Sequence, residues 1–409
     1  MEKILFVLII AIVVFEFLLE RVLDYLNATC WSEKLPEELQ GIYEQEKYSR
    51  SQQYLKANHW FSQLTESFNF ILVMLMLLLG GFAFLDNQVR AITDNPVLMA
   101  LLFFGAIGVV ADFLGTPFSI YSTFVIEQRF GFNKTTVRTF ILDKIKGWVL
   151  AAVVGGGLLA LIVWIYGVTG SWFWIIAWGV ISLFTILMTL FYSNIIVPLF
   201  NKQTPLEPGE LRDAIEEFAG KTGFSLKNIY VIDGSKRSTK ANAYFTGLGR
   251  KKRIVLYDTL IKDHPVDELV AVLAHEIGHY RKKHTLIGTL ISVLQTGLIL
   301  FILSRFLDNP HLSGALGASQ PSFHLGLVAF GILFTPISLI TGLGLNILSR
   351  MHEFQADRFA AVNHNAESLR NALVRLSVNN LSNLRPHDLY VFFHYSHPPL
   401  LKRLKRLSE

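Results

Sequence analysis

Long apolar runs dominate this chain, and polar residues come in blocks between them. Runs of spanning length lie at 4–20 and near 66–85, 97–124, 147–168, 172–197, 285–304 and 325–348. Each approaches the roughly 17–25 residues with which a helix crosses a hydrocarbon core, so the pattern predicts seven spans. The largest polar insert is 199–284, and its periodicity changes along its length. Glu210–Lys221 has amphipathic helical spacing ending at Gly223, and 228–232, 241–246 and 253–257 read as short strands. A further helix follows, with Asp263 placed to cap it, Pro265 in its first turn and Asp267 and Glu268 at its positive end. Leu269, Val272, Leu273 and Ala274 give that helix an apolar side.

Loop charge orients the bundle. The 125–146 loop carries Arg129, Lys134, Arg138, Lys144 and Lys146, whereas 86–96 has only Arg90 and 306–324 has no Lys or Arg. The positive-inside rule puts 21–64, 125–146, 199–284 and 350–409 in the cytosol, with the N-terminus outside. A cleaved signal peptide is the competing reading of 4–20, but its leading region has only Lys3, and no convincing cleavage site precedes Glu20-Arg21. The Asn27-Ala28-Thr29 sequon falls on the cytosolic side and is discounted.

Composition agrees with a bilayer as partner. The 409 residues are 52% hydrophobic and 17% charged, too apolar for an ordinary soluble protein. Basic cytosolic loops account for the net charge of +5 without nucleic acid. Cys30 is the only cysteine, so neither an intramolecular disulfide nor a thiolate-rich metal site can form. Glu16, Asp112, Gln295 and Asn346 lie within spans. Such groups face a hydrated chamber or bond between helices, and the sequence does not choose between these.

Chemistry concentrates at His275-Glu276-Ile-Gly-His279. Two histidines four apart share a helix face and can hold one metal, while the adjacent Glu276 can take a proton from its water. Zinc needs another protein ligand and an open position. One class of zinc peptidase has a third histidine at the position of Thr285; His284 is one residue short of it. Another class uses a glutamate from a later helix, and Glu353 is suited to this, with Asp357 four residues on to orient a ligand imidazole. Span six begins near Leu286 and span seven ends near Leu348. At about 1.5 Å per helical residue, both ligand sets then lie about 7–11 Å beyond the hydrocarbon edge.

Four segments together carry a resemblance: His275–His279, 349–357 (Ser-Arg-Met-His-Glu-Phe-Gln-Ala-Asp), 242–247 (Asn-Ala-Tyr-Phe-Thr-Gly) and 396–399 (Ser-His-Pro-Pro). In this order the chain resembles the type I CAAX prenyl proteases, seven-span membrane zinc metalloendopeptidases. The resemblance implies a mainly α fold: a seven-transmembrane-helix bundle able to enclose a hydrated chamber, with a small α+β, zincin-like (Glu-zincin) cytosolic part. It implies an N-terminal membrane region at 1–198 and a metallopeptidase region at 199–409. One Zn2+ on His275, His279 and Glu353 is expected, with Glu276 and His397 catalytic, His397 on the oxyanion. Asn242 and Ala243 would hold substrate backbone on an edge strand, and Arg403 would pair with Asp357. The expected substrate is a membrane-anchored or prenylated protein. A bacterial inner membrane is favoured over an endoplasmic reticulum membrane, with membrane-protein quality control as the corresponding role. The competing readings are a protease whose metal motif lies inside a span, and a seven-span transporter or receptor with a structural metal. Asp267, Glu268, Arg281, Lys282 and Lys283 beside the motif argue against the first.

Overall fold

The computed structural model describes residues 1–222, 229–246 and 253–409. Its first half is helical: α1 (Glu2–Thr29), α2 (Gln45–Leu78), α3 (Gly81–Ile92), α4 (Pro96–Tyr121), α5 (Val137–Leu150), α6 (Gly157–Thr169), α7 (Phe173–Ile195) and α8 (Val197–Phe200). Two π-helical segments, Ser122–Glu127 and Ala151–Gly156, extend α4 and join α5 to α6. Among the described residues, five stretches are long and apolar enough to cross a membrane: Gln45–Leu78, Pro96–Glu127, Val137–Phe200, His284–Phe306 and Phe323–Asn363. The 64-residue stretch among them turns at Gly170 (φ +51°), between the apolar runs 147–168 and 172–197. The first run, 4–20, forms most of α1 but includes Glu16 and Glu20, and α1 is not among the five.

The run near 66–85 departs from expectation. Gly80 (φ +68°) ends α2 and starts the separate helix α3, because a left-handed residue cannot continue a helix. Pro96 then opens α4, capped by the Asn95 side chain, which accepts from the Val97 and Leu98 amides.

The second half holds β1 (Gln203–Pro205), α9 (Glu210–Lys221), β2 (Ile229–Ile232), β3 (Ala243–Thr246) and β4 (Arg253–Tyr257). The sheet order is β1-β2-β4-β3, with β2 and β4 parallel and the other pairs antiparallel, so β3 is an edge. The Gly223 helix end and the Asn228 strand start lie outside the described residues. There follow α10 (Asp258–Asp263), α11 (Val266–Arg281), α12 (His284–Phe306), α13 (Pro310–Ala315), α14 (Phe323–Asn363), α15 (Ala366–Asn379), α16 (Asp388–His394) and α17 (Leu400–Leu407). Asp263 does not cap α11. It ends α10, and His264, pushed to extended backbone by Pro265, separates the two helices; Pro265 is the cap residue, without a side-chain bond.

One apolar core joins the sheet to α9, α11, α15, α17 and the end of α14, and takes in Leu39, Tyr43 and Tyr48 from the chain before and within early α2. Leu256, Leu260, Leu269, Leu273 and Ile277 are almost fully buried there, each stabilising the fold by roughly 1.5–3 kcal/mol.

All four polar blocks meet at this end. Arg50 donates to the Phe130 carbonyl at 2.7 Å, Arg237 grips Asp143 with two 2.8 Å bonds, and the Asn27 side chain accepts from the His387 amide at 3.2 Å. At the opposite end, Arg90 reaches Gln320 and Pro321, and His324 bonds Asp86 at 2.6 Å. Three polar residues of the apolar runs bond to neighbouring helices: Asp112 with Lys144, Gln295 with Thr341 and Asn346 with the Phe393 carbonyl.

Candidate metal centre

Close approach of two helices builds this centre. Gly278 on α11 faces Ala356 and Phe359 on α14, and a Cβ there would lie 3.0 Å from the Ala356 Cα. Ala356 and Ala360 are fully buried, so small residues on both helices let the backbones meet. The start of α11 is tied down as well. Glu268 takes two bonds from Arg375 on α15, and Asp267 accepts from Ser368.

Across this contact His275, His279 and Glu353 converge, each offering one ligand atom within 4.8 Å of the others. The two Nε2 atoms are 3.1 Å apart, and Glu353 oxygens lie 3.5 Å from His275 and 3.2 Å from His279. These separations bracket the edge of about 3.3 Å expected for a tetrahedron with bonds of roughly 2.0–2.1 Å. Glu353 is 4% exposed, and its buried Oε2 has no hydrogen bond of normal length, lying 3.5 Å from His275 Nε2 and 3.7 Å from Arg403 Nη1. Arg403 offsets part of the cost of burying this anionic oxygen from a distance, and a cation in direct contact would offset more. The donor set fits a divalent metal.

Outer partners fix the orientation of both imidazoles. His275 Nδ1 donates to Asp357 at 2.9 Å, and Asp357 accepts from Arg403 at 2.5 and 2.8 Å. With its Nδ1 held by Asp357, His275 gives up the proton on Nε2 when it takes a metal, and Nε2 is the atom that faces the centre. His279 does the same through a different chain. Its Nδ1 lies 3.0 Å from His284 Nδ1, and His284 Nε2 lies 3.0 Å from the Gln355 side-chain oxygen Oε1. With a metal-facing lone pair on His279, its Nδ1–H donates to His284, which in turn donates to Gln355. His352 stacks on His284 at 3.8 Å and 7°.

This second chain was not evident in the sequence, because it depends on Lys283. That residue adopts φ +61°, which breaks α11 from α12 and folds His284 back under His279. Depth counted along one continuous helix therefore applies to Glu353, five residues past Leu348 on α14, and not to the two histidines.

The centre lines a cavity of about 650 Å³. Glu276 lines it beside both histidines, and burial raises its pKa while the neighbouring His275 and His279 oppose the rise. A metal dication there would oppose it further. His397 lies at the same wall, 66% exposed, with Nε2 3.3 Å from Glu353 and Nδ1 3.0 Å from the Ser396 hydroxyl. Asn242 and Ala243, at the start of edge strand β3, also line the cavity, which continues along α12 past Thr285, Gly288 and Ser292.

Residues 25–202 match a family model described as CAAX prenyl protease N-terminal, five membrane helices, and residues 205–409 match Peptidase family M48. The CAAX prenyl protease 1 homolog of Arabidopsis thaliana is 36% identical over 98% of this chain and 96% of its own. CAAX prenyl protease 1 of Saccharomyces cerevisiae is 35% identical over 96% and 93%, respectively. The chain belongs to the CAAX prenyl protease 1 family. The Homo sapiens homolog of CAAX prenyl protease 1 is 32% identical over 91% of this chain and 88% of its own. The crystal structure of S. mikatae Ste24p aligns with a TM-score of 0.93 at 34% identity, covering 99% of both chains.

Membership makes this chain a multi-pass, membrane-embedded metalloprotease and removes the transporter or receptor alternative. The CAAX prenyl protease 1 relatives named above are eukaryotic, so they lend no support to a bacterial inner membrane.

Proposed function

We propose that this chain hydrolyses a peptide bond in prenylated, membrane-anchored proteins, using zinc held by His275, His279 and Glu353. The observation that carries this is the meeting of the two imidazole nitrogens and a buried carboxylate at the wall of one cavity, each offering a ligand atom within 4.8 Å of the others. When bound, the metal supplies Lewis acidity, polarising the scissile carbonyl and lowering the pKa of a water. Glu276 takes the proton of the attacking water and delivers it to the leaving amine. Its burial-raised pKa suits a group that must both accept and return a proton. His397 donates a hydrogen bond to the carbonyl oxygen as that oxygen becomes negative. Asp357, itself held by Arg403, keeps His275 in the ligand tautomer, and His284 does this for His279.

The free edge of β3 takes the substrate backbone as an added strand, beginning at Asn242 and Ala243; the cavity beside those residues supports this assignment. The cavity's continuation along α12 suits a substrate whose lipid stays in the bilayer. We read the membrane part as seven spans, adding α1 to the five stretches and dividing Val137–Phe200 at Gly170. The division at 198/199 into a membrane region and a zincin-like metallopeptidase region is part of the same proposal. The basic polar blocks gather at the metal end, which supports a cytosolic site and an external N-terminus.

Cleavage of a prenylated peptide and its unprenylated counterpart by the full chain tests the substrate assignment. The prenylated peptide should be the better substrate in kcat/KM. Equal rates on the two would remove the lipid from the specificity.

A further inference from the structure

A second pocket, of about 490 Å³, lies where the chain leaves α7 and enters the sheet. Among the described residues, Lys146, Lys202, Lys236 and Arg253 line it, against one carboxylate, Asp233. That carboxylate is already engaged, its Oδ1 accepting from the Asn201 side chain and the Lys202 amide at 2.9 and 2.8 Å. The nearby Asp143 is taken by Arg237. None of the four cations forms an ion pair among the described residues. Lys146 instead donates to the Leu199 carbonyl at 2.7 Å, Lys236 approaches the Phe200 carbonyl at 3.4 Å, and Arg253 lies over the Tyr230 ring.

Four cations gathered around one occupied carboxylate repel one another, and a bound anion would relieve this. Position identifies the kind of anion. Lys146 is the last charge before the apolar run 147–168, and Leu199 lies in the short helix α8 that follows α7. Leu199, which lines the pocket, is 45% exposed, and Ile195 at the end of α7 is 58% exposed. Cations next to an exposed apolar face at the end of a spanning stretch match an amphiphile with an anionic head.

We propose that this pocket binds the phosphate headgroup of an anionic phospholipid, whose acyl chains lie along the Ile195–Leu199 face. It is distinct from the metal centre, and lies by β1, at the sheet edge opposite β3. The lipid would pin the outer edge of the sheet to the bilayer while β3 faces the catalytic cavity.

The full chain in detergent is titrated with fluorescent phosphatidic acid, with phosphatidylcholine as the neutral control and inorganic phosphate as competitor. Saturable binding of phosphatidic acid alone is expected, with phosphate competing only at much higher concentration. Lys202→Gln and Lys236→Gln should each weaken binding about fivefold, and the pair about 25-fold. Lys47→Gln, outside the pocket, should change nothing. If the pair proves unstable, Lys202→Gln alone decides, since Lys202 is an exposed side chain. Wild-type affinity in the pocket variants overturns the proposal. So does equal binding of phosphatidylcholine, and displacement by phosphate at equal concentration would make this a free-phosphate site.

Discussion

Gly278→Ala should separate the geometry of the metal centre from the stability of the fold. The new Cβ would lie 3.0 Å from the Ala356 Cα, 3.1 Å from the Phe359 Cβ and 3.2 Å from the Ala356 carbonyl oxygen. Comfortable carbon contacts are about 3.5–4.0 Å, so α11 and α14 must part by roughly half an ångström. Two of these neighbours are backbone atoms and cannot rotate away. Overpacking of this kind costs about 1–3 kcal/mol, and the better helix propensity of alanine returns close to 1 kcal/mol. The net loss of stability is therefore small.

The ligand set has less tolerance. Glu353 is on one of the parting helices and both histidines are on the other, with ligand atoms only 3.1–3.5 Å apart. Metal sites accept deviations of about 0.2 Å, and misplacing reacting groups by about 1 Å can cost hundredfold in rate. Chelator competition for metal affinity, kcat/KM on a cleavable peptide and thermal melting would be measured together. The expected result is a loss of about ten- to hundredfold in affinity and rate with little change in melting. Gly108→Ala, with nothing within 4 Å of the new Cβ, should be neutral. Wild-type affinity and rate in Gly278→Ala would refute the close-approach account.

Two further predictions concern the orienting groups. His284→Phe keeps a ring against His352 but removes the acceptor for His279, and should lower metal affinity about 10–100-fold. His284→Gln, which can still accept, should restore much of it; equal affinity in all three proteins would remove His284 from the site. The second concerns pH. In the metal-free chain burial disfavours a charged His275, but the hydrogen bond to Asp357 and the close Glu353 carboxylate outweigh it and raise its pKa to about 9. Metal must displace that proton, so apparent affinity should rise about tenfold per pH unit up to roughly pH 9 and then level. The same proton stabilises the metal-free fold fully below the unfolded pKa of about 6.5, and that contribution is lost as pH rises through about 9. Competition titrations at pH 7, 8, 9 and 10 check the slope, and a flat profile between 7 and 9 contradicts it.

What the sequence made legible follows from how locally each feature is encoded. The pairing of His275 with His279 needs only the helical period, and the long apolar runs need only composition. Asp357 could be suggested because it shares a helix face with Glu353. The His284–Gln355 chain was not readable. It depends on a lysine in the left-handed region, a conformation that sequence favours for glycine, and on the packing of α12 against α14. The separate helix α3 was hidden because Phe82, Leu85 and Val89 extend the apolar pattern past the Gly80 break. The expected cap at Asp263 failed because the proline after His264 favoured an extended link over a continuous helix start.

The most direct test of the proposed chemistry is to measure metal content and peptide cleavage together in Glu276→Gln. The substitution leaves His275, His279 and Glu353 in place and removes only the group assigned to carry the proton. Glu276→Gln should hold as much zinc as the wild type, expected at one per chain, with cleavage reduced about 10²–10⁴-fold. Near-normal cleavage with full zinc would contradict it.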